Sequence, residues 1–195
     1  MKVGFARVST QEQDLQVQLS KLDRYGCEKV FQGKQSGASI KNDEKLKDLI
    51  NFIREGDEVI VTAPYWVSYP EMTKFAGGVP IEILCREESG FKLTPVQLEA
   101  AITSKTRWLI LNSPNNPSGA VYSGHELRML AEVLQPYERI MVMCDDIYEH
   151  IIFDGAEMAT MAEAAPFMFD RTLTLNGVSK AYAMTGWRIG IAGGP

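Results

Sequence analysis

Three stretches of the chain decide its fold: RWLILNS (107–113), RIMVMCDD (139–146) and TLTLNGVS (172–179). Each is a short segment rich in apolar residues that ends in polar ones, and the first two are apolar on both faces. The segment between those two opens with Ser123 and Glu126, which have the spacing of a helix capping box. Strands that are apolar on both faces and alternate with helices are typical of a parallel sheet covered by helices. The sequence therefore predicts a doubly wound α/β fold, a three-layer sandwich with a mostly parallel sheet.

The same alternation continues toward both ends of the chain. Thr94, Pro95 and Gln97 supply a cap, a first-turn proline and a capping partner for a helix that reaches Ile102. Pro70 marks the start of another helix. Further strands are predicted at EVIVTA (58–63), PIEILC (80–85), WRIGIAGG (187–194), KVGFARVS (2–9) and EKVFQG (28–33). Strands and helices thus alternate along the whole chain.

Composition excludes several classes of protein. The 195 residues include 20 Lys+Arg and 25 Asp+Glu, a net charge of −5, and 45% are hydrophobic. This is globular composition, and its acidity argues against a basic nucleic-acid-binding chain. The cysteines, Cys27, Cys85 and Cys144, are odd in number and widely spaced, which predicts neither a disulfide framework nor a metal site. A reducing cytoplasm fits these cysteines best, and because no membrane span or signal peptide is recognisable, we expect no membrane partner.

Polar and aromatic residues follow the predicted strands, where ligands bind in doubly wound sheets, and an arginine comes just before the apolar part of the last strand. They include an aromatic plate, an amide, a carboxylate, a phenol, a lysine and an arginine: Trp66, Asn116, Asp145, Tyr148, Lys180 and Arg188. Such a set suits pyridoxal 5'-phosphate (PLP). A lysine can form a Schiff base with its aldehyde, a carboxylate can keep its pyridine nitrogen protonated, and an arginine can bind its phosphate. Each residue alone also has an ordinary structural interpretation, and their joint occurrence is what predicts a cofactor site.

Residues 58–195 resemble the large domain of fold-type I PLP-dependent aminotransferases, class I/II and aspartate-aminotransferase-like. The motifs that carry the resemblance are DEVIVTAPYWVSYPEM, LNSPNNPSGAVY, CDDIYEH and NGVSKAYAMTGWRIG. The resemblance implies that Lys180 is the catalytic Schiff-base lysine and that Asp145 is the partner of the pyridine nitrogen. We expect these two at the ends of neighbouring strands, with Lys180 partly desolvated.

The resemblance also implies further cofactor contacts and a reaction. Tyr148 and Asn116 match the ligands of the ring's O3′ oxygen, and Trp66 matches the stacking aromatic. Arg188 matches the phosphate arginine, and Ser179 assists at the phosphate. The implied reaction transfers amino groups between an amino acid and a 2-oxo acid, and a homodimer is the implied assembly.

Residues 1–57 resemble a different family, the N-terminal catalytic domain of resolvase/invertase serine recombinases. KVGFARVSTQEQDLQVQL and GCEKVFQGKQSGAS carry this resemblance. It implies that Ser9 is a nucleophile toward DNA, supported by Arg7 and Gln18. The family's arginine cluster is not found after EVIV, so we expect no DNA cleavage and no DNA partner. The sequence therefore predicts a chimera: a recombinase-like βαβα segment joined to a partial aminotransferase domain at 58–195, packed as one unit.

Three functional hypotheses follow. The first is a PLP-binding aminotransferase-like protein. Its activity is expected to be impaired because the family's phosphate-binding helix start and its arginine for the substrate carboxylate fall outside the resemblance. The second is a non-catalytic chimera or scaffold, natural or engineered. The third is a DNA-acting serine recombinase that uses Ser9.

Overall fold

The computed structural model describes the backbone of two N-terminal strands, β1 (Val3–Val8) and β2 (Lys29–Lys34), and the whole of residues 56–194. The chain divides into two compact units, Met1–Arg54 and Glu55–Pro195. In the first unit, β1 and β2 form a parallel pair in which Arg7 is opposite Gly33. The predicted recombinase-like residues Ser9 and Gln18 lie outside the described residues.

A six-stranded sheet organises the second unit. Its strands are β3 (Glu58–Ala63), β4 (Val79–Leu84), β5 (Thr106–Asn112), β6 (Met141–Asp145), β7 (Thr172–Gly177) and β8 (Gly190–Gly193). Their order across the sheet is β4-β3-β5-β6-β7-β8. All neighbours are parallel except β7 and β8, which run antiparallel. The predicted doubly wound, mostly parallel sheet is confirmed.

Four α-helices connect these strands: α1 (Ser68–Phe75), α2 (Pro95–Ala101), α3 (Gly124–Leu134) and α4 (Met161–Ala164). Both predicted capping boxes are present, with Thr94 at the start of α2 and Ser123 at the start of α3. Each capping box accepts hydrogen bonds from two backbone N–H groups that have no acceptor within the helix. Helix α1 begins two residues before Pro70 and has no side-chain cap. Short 3₁₀ turns cover Glu87–Ser89, Pro166–Arg171 and Thr185–Trp187.

The main apolar core lies between the sheet and helices α2, α3 and α4. Ile60 of β3, Leu98 of α2 and Leu130 of α3 are fully buried members of it. Val59 and Val61 are equally buried. They alternate with Ile60 along β3 and therefore point to the opposite face of the sheet. By contrast, all four residues of the edge strand β8 are exposed.

Candidate active site

The candidate site lies at the carboxyl ends of β5, β6 and β7. Asn112 and Asp145, the last residues of β5 and β6, are cross-strand partners. Asp145 is in turn paired with Leu175 of β7, beyond which the chain leads to Ser179 and Lys180. The prediction that the CDDIY and NGVSK segments follow neighbouring strands is confirmed. Ligands of doubly wound sheets bind at this edge.

The Asp145 carboxylate is held by two donors from different elements. Its Oδ2 accepts a hydrogen bond of 2.6 Å from the Tyr69 hydroxyl. Its Oδ1 accepts one of 3.3 Å from the Ile147 backbone N–H. Asp145 itself is half-buried. The two donors fix the orientation of the carboxylate while part of it stays accessible from the sheet edge.

Tyr69 is a site residue that sequence reasoning missed. It lies in the first turn of α1 and is 4% exposed. Burial, and then the hydrogen bond to Asp145, raise the pKa of its phenol above the ordinary value, so it remains a donor. Its ring meets that of Trp66 edge to face, with centroids 5.6 Å apart. The available signal was its position three residues after Trp66, since residues at this spacing share one face of a helical turn.

The loop 114–121 contains Asn115, Asn116 and Pro117, and we call it the NNP loop. Two hydrogen bonds of the Asn112 side chain, which is 3% exposed, connect it to the sheet. The Asn112 side-chain amide donates to the Asp145 carbonyl at 2.7 Å, and its oxygen accepts from the Asn116 N–H at 2.8 Å. Asn115 closes the loop by accepting from the Ser118 N–H and hydroxyl. Within residues 56–194, the side-chain amide of Asn116 makes no hydrogen bond. It is therefore free for a ligand.

Lys180 and Tyr148 lie close together. The Lys180 amine is 5.5 Å from the centroid of the Tyr148 ring, within the range of a cation–π contact. The expectation of a partly desolvated Lys180 is wrong, because Lys180 is exposed. The reason is its position in a largely exposed loop, 179–188, between β7 and the exposed edge strand β8. In the described part of the chain, no ion pair joins Lys180 to Asp145.

Arg188 and Ser179 lie at opposite ends of this loop. Thr185 bridges them, because its hydroxyl donates to the Ser179 carbonyl at 3.1 Å and its carbonyl accepts from the Arg188 guanidinium at 3.2 Å. Arg188 has a left-handed backbone with φ of 53° and is exposed. No hydrogen bond or ion pair connects Arg188 directly to another predicted cofactor residue among residues 56–194. The structure therefore does not bring it into contact with Lys180 or Asp145.

A cavity of about 580 Å³ opens beside the NNP loop. Asn116 and Tyr148 line it, together with the loop 114–121 and the segment 151–156. Lys180 and Asp145 are not part of its lining. The predicted residues thus fall into three groups. Asn116 and Tyr148 share the cavity, with Lys180 beside Tyr148. Asp145 is linked through Tyr69 to Trp66, and Ser179 is linked through Thr185 to Arg188.

Asp146 has surroundings unlike those of its neighbour Asp145. It is 3% exposed, and its Oδ2 has no hydrogen-bond partner among the described residues. Burial, and then the charges of Glu149 and Asp145, raise the pKa of its carboxyl to about 7. Asp146 is therefore a buried acid that is protonated over much of the acidic range.

Comparison with known proteins identifies the family. A family model for aminotransferase class I and II matches residues 43–195. The chain belongs to the class I and II aminotransferases. The match covers most of the chain and includes every predicted cofactor residue from Trp66 to Arg188.

Several curated aminotransferases are close in sequence. The chain is 56% identical over 147 residues to the aspartate/prephenate aminotransferase of Cereibacter sphaeroides, covering 75% of this chain and 37% of that protein. It is 56% identical over 140 residues to the aspartate aminotransferase of Rhizobium meliloti, covering 72% of this chain and 34% of that protein. This aminotransferase chain therefore spans little more than a third of the length of these relatives.

Solved aminotransferase structures share the fold. The aspartate aminotransferase from Rhizobium meliloti superposes with a TM-score of 0.73 at 52% identity, over 76% of this chain and 38% of that one. The aspartate aminotransferase from Thermus thermophilus with maleate gives a TM-score of 0.70 at 47% identity, over 77% and 38%.

The N-terminal part of the chain matches a second family model, the resolvase N-terminal domain, over residues 2–65. The two matches overlap at residues 43–65. This interval contains the predicted boundary at residue 57. Separately, none of the helices in the described part of the chain has the length and apolar character of a membrane span.

Proposed function

We propose that this chain binds PLP and transfers amino groups between an amino acid and a 2-oxo acid, with Lys180 as its catalytic lysine. The observation that carries the proposal is the arrangement at the ends of β6 and β7. There Asp145 is held by two donors, and the amine of Lys180 lies beside Tyr148.

The donor set fits the chemistry of the proposed cofactor. The amide of Asn116 has no partner within residues 56–194 and shares a cavity with Tyr148, as expected for two ligands of a phenolate oxygen. The oriented carboxylate of Asp145 suits a protonated ring nitrogen, and the half-exposed ring of Trp66 suits stacking. When bound, PLP supplies an electron sink for carbanionic charge on a substrate carbon.

The proposed roles of the residues follow from their groups. Lys180 would hold the aldehyde carbon of the cofactor through Nζ, with water as the leaving group, and once released from the cofactor its amine would accept a proton. The carboxylate of Asp145, oriented by its two donors, would accept a hydrogen bond from a protonated ring nitrogen. Tyr148 and Asn116 hold the O3′ oxygen. Ser179 and the exposed guanidinium of Arg188 are proposed phosphate ligands.

The proposed substrates are an amino acid and a 2-oxo acid. Because the relatives described above are named aspartate or aspartate/prephenate aminotransferases, aspartate is the first donor to test. We also propose a homodimer in the cytoplasm. Buried, free Cys85 and Cys144 support a reducing compartment.

We further propose that the chain is a chimera whose first 57 residues derive from a serine recombinase. The overlapping family matches and the two compact units support this. DNA cleavage through Ser9 is not proposed, because the sequence has no arginine cluster after EVIV. That the two segments fold as one unit stays a prediction. Limited proteolysis that releases a stable fragment cut near residue 57 would contradict it.

Borohydride labelling tests the proposed function. The chain is titrated with PLP, reduced and digested, and the labelled peptide is identified by mass spectrometry. We expect the label on Lys180 and its loss in Lys180→Ala, whereas Lys105→Ala, which removes an exposed lysine outside the site, keeps the label. A half-reaction with aspartate then measures transfer. Unchanged PLP binding in Lys180→Ala would favour the non-catalytic scaffold.

A further inference from the structure

A short hydrogen bond connects two distant parts of the chain at the site. The Tyr69 hydroxyl, in α1, donates to Asp145 Oδ2, at the end of β6, over 2.6 Å and across 76 residues of sequence. Hydrogen bonds from a hydroxyl to a carboxylate at this distance are among the stronger ones in proteins. The bond therefore fixes where the Asp145 carboxylate lies relative to α1.

Tyr69 is also fixed at its other contacts. Its backbone N–H donates to the Trp66 carbonyl at 3.1 Å, and its carbonyl accepts from the Thr73 hydroxyl at 3.0 Å. Its ring packs edge to face against Trp66, at an interplanar angle of 84°. Trp66 itself is 43% exposed, so part of its ring remains open to a ligand. One buried side chain thus contacts both the carboxylate and the aromatic ring.

We propose that Tyr69 is a positioning residue that holds the Asp145 carboxylate and the Trp66 ring in one fixed relation. The inference rests on the proposed function, in which these two groups meet the ring nitrogen and the ring face of PLP. Tyr69 acts through them and does not touch the cofactor. Preorganisation of this kind removes the cost of ordering both groups when the ligand binds.

A merely structural tyrosine would behave differently. Loss of its hydroxyl would lower stability and would weaken every ligand alike. A positioning residue that acts through Asp145 affects only ligands that have a ring nitrogen for Asp145 to contact. An analogue in which a C–H group replaces the pyridine nitrogen, 1-deazapyridoxal phosphate, separates the two cases.

The experiment compares Tyr69→Phe with Tyr122→Phe in the full chain. Tyr122 is an equally buried tyrosine, 3% exposed, whose hydroxyl oxygen accepts from the Leu93 N–H away from the site. We expect Tyr69→Phe to weaken PLP binding about fivefold, the effect of one hydrogen bond, and to change binding of the deaza analogue less than about twofold. Tyr122→Phe should leave both affinities within about twofold of the parent.

A double-mutant cycle with Asp145→Asn completes the test. If Tyr69 acts through Asp145, adding Tyr69→Phe to Asp145→Asn causes no further loss of PLP affinity. Equal losses for both ligands, no loss at all, or additive effects in the cycle would each overturn the positioning role. If the parent chain instead binds no PLP or is not labelled at Lys180, the proposed function fails and the inference fails with it.

Discussion

Two adjacent aspartates at the end of β6, Asp145 and Asp146, lie on opposite faces of the sheet and have different surroundings. Asp145 continues the partly exposed side of the strand, and its carboxylate has two hydrogen-bond donors, from Tyr69 and Ile147. Asp146 continues the buried side that includes Cys144, and one of its carboxyl oxygens has no partner among the described residues. Alternation along a strand sends neighbouring side chains to opposite faces.

The comparison shows that the surroundings created by the fold, more than the residue type, decide whether a carboxyl group can bind a ligand or is held protonated. A carboxylate with oriented donors can serve a ligand, whereas a buried carboxyl without donors is destabilised in its charged form. We call the side of β6 that carries Asp145 the site face and the side that carries Asp146 the core face. Substitutions on the site face should change ligand binding and reaction rate, whereas substitutions on the core face should change stability.

The largest expected effect is on the site face. Asp145→Ala should lower the rate of the aspartate half-reaction roughly 10²- to 10³-fold, because it removes the preorganised carboxylate proposed to face the ring nitrogen of PLP. The control on the core face, Asp146→Asn, should keep the rate within about threefold, since Asp146 contacts no proposed ligand group. Single-turnover kinetics measure both. Equal losses in the two variants would remove the functional distinction between the faces.

The next effect is on the core face. Leu130 is fully buried in the core cluster, so Leu130→Ala should cost about 3 kcal/mol of the free energy of unfolding. Trp66→Ala, on a residue that is 43% exposed, should cost less than about 1.5 kcal/mol. Urea unfolding followed by circular dichroism gives both values. A larger loss for Trp66→Ala would mean that the aromatic ring is chiefly structural.

A pH series tests the buried acid. The pKa of Asp146 is raised to about 7 in the folded chain from an ordinary 3.8. Between these values the unfolded chain loses a proton that the folded chain keeps, so this group's contribution to stability falls as pH rises and is lost above about pH 7.

Asp146→Asn removes that titration. The variant should be close to the parent in stability near pH 4 and should exceed it by several kcal/mol at pH 8. Urea midpoints measured from pH 4 to 8 give the comparison. Parallel curves for the two proteins would show that Asp146 is solvated or paired.

The smallest expected effect concerns a helix of the core face. The Ser123 hydroxyl accepts from the Glu126 N–H at the start of α3. Ser123→Ala should therefore cost about 1 kcal/mol of stability, with PLP affinity unchanged. Ser104→Ala, at an exposed position, is the control and should change stability by less than about 0.5 kcal/mol. A loss of PLP affinity in Ser123→Ala would show that the two faces are coupled.

Much of the fold was predictable because its signals are local. The capping boxes at Thr94 and Ser123 were predicted from residues three positions apart and are present. Apolar runs predicted the strand ends to within two residues, except that β8 begins three residues later than predicted. The CDDIY and NGVSK segments were expected at the ends of neighbouring strands, and β6 and β7 are neighbours in the sheet. The exposure of Lys180 was not predicted, because it depends on how the loop 179–188 packs.

The sequence by itself determined the α/β class, the helix caps and the motifs that carry the family resemblance, because these depend on residues close together in the chain. Only the tertiary structure decided that Tyr69 holds Asp145 and that Asp146 is buried with its Oδ2 unpartnered among residues 56–194. The first is a contact across 76 residues, and the second depends on which face of the sheet the helices cover. The sequence shows neither the partner of Tyr69 nor the elements that cover Asp146, since both depend on packing between elements that are distant in sequence.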